Sequence, residues 1–189
     1  MKKYIFVITA ILVLSCNNSK KLDANNEKVA KKELRPFFDS DKIDHYYLDS
    51  SEKEFEHLAK DNAAQTAKKK EFSGFFYGNY PETIPKKNFE NLLLKYNYKK
   101  SSLSFKQQKQ IENVFSEKDS LKNEVCSCIA EYRDIFIFKK NKKTIGIAKI
   151  CFKNARFQIV GSKIDTEGFG LIEELDKLEN IVRPTEIKP

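Results

Sequence analysis

The sequence predicts an α+β domain: a mostly antiparallel sheet with a C-terminal three-strand meander, packed by about four helices. Three observations carry this expectation. Glu131–Phe152 sets two apolar runs on either side of Lys-Lys-Asn-Lys-Lys, the pattern of a β-hairpin, and Arg156–Val160 follows as a returning strand. Several other segments repeat apolar residues at three- and four-residue spacing. The order strand, helix, strand, two helices, meander, helix does not alternate as a parallel sheet does. No internal repeat is visible.

Pro36-Phe37-Phe38 begins the folded part, and the aromatic-rich Ile43–Leu48 reads as a strand. Ser51 and Glu54 have capping-box spacing ahead of a short helix with Phe55, Leu58 and Ala59 on one stripe. Glu71–Tyr77 is expected as a strand, broken by Gly78-Asn79. Ile84-Pro85 opens a helix, since proline is tolerated in a first turn, and Phe89, Leu92, Leu93 and Tyr96 share one side. Asn97 is suited to a left-handed stop. Ser104 and Gln107 form a second capping box, before a stripe of Phe105, Ile111, Val114 and Phe115. Thr166–Gly170 is a glycine turn before an amphipathic helix, Leu171–Val182, which Pro184 stops.

Within the hairpin, a turn at Asn141-Lys142 would pair Phe138 with Ile145, Phe136 with Ile147, Asp134 with Lys149 and Tyr132 with Cys151. The other face would pair Ile137 with Gly146, Ile135 with Ala148 and Arg133 with Ile150. Both faces are then apolar at the centre, which predicts cover on one or both sides. Lys139, Lys140, Lys142 and Lys143 make the tip a solvated loop, with a phosphate or anionic-lipid contact as the alternative.

The 189 residues suit one domain. The formal charge is +8, and nearer +6 without Lys2 and Lys3. That balance favours solubility and attraction to anionic membranes, but the charges are too dispersed for a nucleic-acid partner.

The N-terminus has a basic head, Met1-Lys2-Lys3-Tyr4, and an apolar run, Ile5–Leu14, too short to span as a mature helix. The run ends in Val13-Leu14-Ser15-Cys16, which resembles the lipobox of bacterial lipoproteins, although Leu14 is less typical at its place. The resemblance implies export, diacylglyceryl transfer to the Cys16 sulfur, cleavage before Cys16, and acylation of the new amine with a chain such as palmitate. Several acyl chains anchor durably, at roughly 0.8 kcal/mol per buried methylene. Residues 1–15 are then a signal peptide, 16–35 the lipidated cysteine and a polar tether, 36–183 the domain, and 184–189 a loose tail. No aspartate follows Cys16 directly and no acidic run follows it. By that resemblance the protein belongs on the outer membrane, facing the periplasm.

An oxidising envelope favours disulfides. Cys126, Cys128 and Cys151 remain, an odd number, so one bridge with one cysteine left over is expected. Cys128 would lie about 13 Å along a straight strand from the residue opposite Cys151. A bridge needs Cα atoms within about 7 Å. Cys128–Cys151 therefore requires the chain to fold back at Ile129-Ala130, and Cys126 is the other candidate. Buried unpaired thiols, or a redox or metal role, stay open. Cys-x-Cys is not the thioredoxin-like spacing, and His45 and His57 match no metal motif, so each reads as a packed or surface residue. No cofactor or metal is expected.

No Gly-x-Ser-x-Gly elbow, P-loop or dinucleotide fingerprint occurs, and Gly161–Gly170 reads as a loop leading into the last helix. Arg133 and Asp134 place charge in an apolar strand, as a cross-strand pair with Lys149 or as a recognition spot. Phe75, Phe76 and Tyr77 belong to an aromatic run that reads as core packing or as an exposed partner patch. Tyr-Arg-Asp-Ile followed by Lys-Ile-Cys-Phe resembles small uncharacterised envelope lipoproteins, in which a second cysteine often stands where this chain has Asn154. The functional expectation is a non-enzymatic, membrane-anchored module that binds a protein partner. An immunity or inhibitor protein is its subtype. An enzyme built from dispersed acids and tyrosines, or a thiol-based redox or metal-handling protein, are the other classes.

Overall fold

The computed structural model describes residues 34–49, 67–86, 89–118 and 128–184. The expected helix behind Ser51, the signal and tether segments, Cys126 and most of the tail lie outside the described residues. The elements are β1 (Lys42–Tyr47), α1 (Ala67–Phe76), α2 (Phe89–Lys95), β2 (Lys99–Lys100), α3 (Phe105–Val114), β3 (Asp134–Lys140), β4 (Lys143–Cys151), β5 (Arg156–Val160) and α4 (Ile172–Val182). The strands form one antiparallel sheet in the order β2-β1-β3-β4-β5, so the expected α+β class and three-strand meander hold.

Two cores explain why β3 and β4 are apolar on both faces. On one face, Phe72, Phe75 and Phe76 of α1 and Phe89 and Leu93 of α2 pack on Tyr46, Ile135, Ile137 and Ile147. On the other, Ile111 and Val114 of α3 and Leu175, Leu178 and Ile181 of α4 pack on Ile43, Phe136, Phe138, Ala148 and Ile150. Each fully buried apolar side chain adds roughly 1.5–3 kcal/mol, so the central hairpin anchors both layers.

The segment expected as a strand, Glu71–Tyr77, is instead the end of α1 and the residue after it. Its apolar period is that of a helix. Phe72, Phe75 and Phe76 stand at i, i+3 and i+4, one face of a helix, and all three are buried. α2 begins at Phe89 rather than at Ile84-Pro85, and Asn97 has the left-handed φ of 62° expected of its stop. The Ser104 capping box forms in full, with the hydroxyl accepting from Gln107 N–H and the Gln107 side chain accepting from Ser104 N–H. Glu173 and Glu174 open α4, where acidic groups suit the helix dipole.

The β3–β4 turn is at Asn141-Lys142, as expected, with both residues at positive φ, the primed geometry that matches strand twist. Below it the register departs from expectation. Lys139 pairs with Thr144 but Phe138 pairs with Gly146, leaving Ile145 as an extra residue. Every later pair is displaced by one: Asp134 faces Ile150, and Lys149 faces Ile135. The Asp134–Lys149 and Tyr132–Cys151 pairs are thereby overturned, because a one-residue slip sends a side chain to the opposite face. Gly146 permits the displaced register. The Phe38 ring covers it and stacks on Phe138 at 4.3 Å, and a Cβ at Gly146 would lie 2.2 Å from Phe38.

On the α1–α2 face, the slip delivers Lys149 into the core. Its Nζ donates to Gly78 O (2.6 Å) and Tyr80 O (2.9 Å) and lies 4.3 Å from the Tyr132 ring centroid. Gln158, directly opposite on β5, donates through Nε2 to Asn79 O (2.5 Å) and Pro81 O (3.0 Å). One cross-strand pair thus captures four consecutive carbonyls of the loop after α1. Unpaired, those carbonyls would carry a desolvation cost.

Gly146→Ala is expected to destabilise the protein by about 1–3 kcal/mol in urea unfolding, since the ring must shift. Gly74→Ala, where a Cβ meets nothing within 4 Å, is expected to stabilise it by about 0.5–1 kcal/mol through helix propensity. Lys149 adds a pH effect. Burial pushes its ammonium down to about 7 from the ordinary 10.5. Below that value the group is charged in both folded and unfolded chains. Between it and the ordinary value only the unfolded chain keeps the proton, so stability rises with pH across the window. Wild-type stability is therefore expected to climb relative to Lys149→Met from pH 7 to about 10. Parallel curves in urea titrations would show instead that the carbonyls and ring hold the proton on.

Candidate functional site

The same register places Asp134 on the α3–α4 face, beside His45 of β1. His45 pairs with Phe136, two residues from Asp134, and stacks on the Phe136 ring at 4.7 Å. Its Nε2 lies 3.0 Å from Asp134 Oδ1 and its Nδ1 lies 2.8 Å from Ser101 Oγ. An ionised carboxylate only accepts, which puts a proton on Nε2; in the neutral ring Nδ1 then accepts from the Ser101 hydroxyl. Ser101, just past β2, is seated by its own N–H, which donates to His45 O at 2.9 Å. Thus β1 supplies the imidazole, β3 the carboxylate and the chain after β2 the hydroxyl.

Arg183 closes the chain of bonds. It caps α4, and its Nη2 donates to both Asp134 oxygens, at 2.8 and 2.7 Å, while Nη1 reaches Glu179 at 2.8 Å. The guanidinium also lies 5.4 Å from the Phe152 ring centroid. Asp134 is buried. It is the buried charge that its apolar strand could not leave alone: an unpaired buried carboxylate is costly, and here two donors answer it. Burial by itself would weaken the Arg183 charge, and Asp134 and Glu179 more than offset it.

These groups form the floor of a cleft of about 770 Å³ at the end of the sheet where β1 and β4 stop and β3 begins. Asp49, Glu131, Arg133 and Lys153 stand around it, and Arg133 pairs with Glu131 at 3.1 Å. The lining has both signs of charge, and apolar surface comes from Phe152 and Val182.

A second charged cluster sits at the edge of the α1–α2 face. Buried Asp44 accepts from Lys139 at 2.7 Å and pairs with Lys100 at 2.9 Å, while Glu90 accepts from Lys139 and from the Tyr46 hydroxyl, both at 2.8 Å. Burial alone would raise the Asp44 carboxyl, but the two ammonium groups hold it below the ordinary carboxylate range. This cluster is a closed network that secures β1 to α2.

Of the residues singled out from sequence, the structure brings Arg133, Asp134 and Cys151 to the cleft. Asp134 is spent on internal partners; Arg133 is half-buried and pairs with Glu131. Phe75 and Phe76 are fully buried, so the partner patch placed there is corrected to core, for the helical reason given above. Tyr77 is half-buried against the Phe76 ring at 4.7 Å, and burial raises its hydroxyl. The Cys128–Cys151 bridge does not form. Cys151 is a free, buried thiol, and Cys128 is disulfide-bonded outside the described residues. Cys16 lies outside them too.

Sequence reasoning missed His45, Ser101 and Arg183 as a set. Its one usable signal was Asp134, an acid inside an apolar strand that had to find a partner, and the unslipped register supplied the wrong one. Among the described residues, no group of three His, Cys, Asp or Glu side chains could hold a metal ion, and no helix is long and apolar enough to cross a membrane.

Asp134→Ala is expected to cost about 3–5 kcal/mol, because it breaks the buried pair with His45 and removes the anchor of the Arg183 guanidinium. Arg183→Ala is expected to cost less, about 1.5–3 kcal/mol, since one charge-assisted partner of the carboxylate remains. Unfolding of the double variant should show a cost well below the sum of the two; additive costs would mean that the groups do not act together.

No protein-family model, curated protein or solved structure matches this chain.

Proposed function

We propose that the protein is a lipid-anchored, non-enzymatic module of the cell envelope that binds a protein partner at the cleft. The carrying observation is how the polar groups of the cleft floor are used. His45 and Arg183 both bond to Asp134, and His45 and Asp134 are each only 1% exposed, so they set a rigid base instead of reacting. The cleft is also lined by Arg133 paired with Glu131, by Asp49 paired with Lys99, and by Lys153, so charges of both signs stand beside the apolar Phe152 and Val182. Such a mixed-charge lining suits oriented recognition of another protein more than a small ligand held by one charge. An inhibitor or immunity role, exerted where an incoming enzyme would act, uses the same surface. Anchorage follows from the lipobox resemblance at Cys16. Cys151 is buried, so it offers the redox class no accessible thiol at that position.

One observation favours an enzyme as the second reading. Ser101, His45 and Asp134 stand in the order of a nucleophile, base and orienting acid. Against it, the carboxylate is shared with Arg183 and the Ser101 N–H is already engaged, so it is not available to a developing oxyanion.

Intact mass of the native protein tests the anchor: acyl mass on a chain beginning at Cys16 is expected, and an unmodified chain would remove it. A photo-crosslinking residue at Lys153 in living cells tests the cleft. A discrete protein adduct, lost with Arg133→Glu, is expected there and not from the same residue at Lys70. Labelling of Ser101 by a fluorophosphonate, abolished in His45→Ala, would replace the binding reading with the hydrolytic one.

A further inference from the structure

The cleft occupies one end of the strands, and the other end has its own character. β3 is seven residues long, so its far end lies about 20 Å from Asp134. There the Asn141-Lys142 turn projects Lys142 and Lys143 into solvent, and neither has an ion pair among the described residues. Lys42 stands opposite Lys139 at this end with a side chain 58% exposed. Three acids are near, and each has a partner. Asp44 lies 3.6 Å from the Lys42 ammonium and 2.7 Å from that of Lys139. Asp39 pairs with Lys140 at 3.0 Å, and Asp41 accepts from the Asn141 N–H at 2.7 Å.

Asp39 and Asp41 lie close to the start of the described unit. Arg35 and Phe37 bond to Glu117 and Phe115 just past α3, and Asp41 N–H then bonds to Lys139 O at 2.8 Å. Within eight residues of Leu34 the chain is therefore fastened to the lysine turn. Residues 17–33 lie between Cys16 and Leu34, which allows about 60 Å at full extension. A connection that long does not by itself select which face meets the bilayer, so the charge of the nearby surface can.

We propose that the Lys142–Lys143 turn is a docking surface for an anionic lipid leaflet, on which the domain stands with its cleft turned away from the membrane. This rests on the anchored reading of Cys16. Two uncommitted ammonium groups at a protruding turn match a sheet of phosphate headgroups, and juxtamembrane lysines gain affinity from a negative leaflet. The orientation leaves the mixed-charge rim free for a partner approaching from solution.

The test uses the native acylated protein, reconstituted through its own anchor into vesicles, and a water-soluble lysine-acylating reagent read by mass spectrometry. In vesicles containing phosphatidylglycerol, modification of Lys142 and Lys143 is expected to slow by roughly tenfold relative to phosphatidylcholine vesicles. Modification of Lys99 and Lys177, away from the turn, is expected to stay the same. The protection should vanish in 0.5 M salt, within a Debye length of about 4 Å. Equal rates at Lys142 and Lys143 in the two vesicle types would overturn the docking surface while leaving the anchor intact. A chain without acyl mass would overturn the anchor, and then sedimentation with phosphatidylglycerol vesicles still judges the turn: binding unchanged by Lys142→Glu with Lys143→Glu refutes it.

Discussion

The register between β3 and β4 is the constraint on which the rest of the structure depends. One extra residue, Ile145, shifts the pairing at the point where Gly146 meets Phe138. Side chains on a strand alternate, so this slip decides which layer receives every later residue. It sends Asp134 toward α3 and α4, and Lys149 toward α1 and α2. Phe38 holds the choice in place by lying over the glycine, and that position also brings the start of the domain against the hairpin.

Each face then resolves one buried charge, by different chemistry. Asp134 is answered by opposite charge and by an imidazole, which ties β1, β3 and the end of α4 together. Lys149 is answered by neutral carbonyls and aromatic faces, and it orders the loop that closes α1 with the help of Gln158. Neither charge is a surface ornament. Both lie within the two apolar layers, where a polar group left without a partner is costly.

The two strand ends differ in kind. At one, the acids and bases are largely paired with each other around a cleft. At the other, lysines outnumber the acids that could neutralise them, and Asp39 and Asp41, near the start of the described unit, are fastened to the same turn. An antiparallel hairpin about 20 Å long separates the two. On the proposed reading, that separation keeps attachment at one end from competing with a partner at the other.

The sequence by itself determined the elements whose signals are local: the hairpin and its Asn141-Lys142 turn, the meander, the Ser104 capping box, the Asn97 stop and the last amphipathic helix. Each depends on neighbours within a few residues, so its pattern is complete in the chain. The resemblance to a lipobox at Cys16 is likewise a matter of residue order and not of folding. Phe72, Phe75 and Phe76 were visible but misassigned, because a short aromatic run suits either period until a sheet face is present to receive it. What only the tertiary structure decided is pairing at a distance. His45, Ser101, Asp134 and Arg183 come from four separate segments, and no spacing in the chain records their meeting. Their assembly hangs on a bulge whose cause, the fit of Phe38 over Gly146, is a contact between residues more than a hundred positions apart.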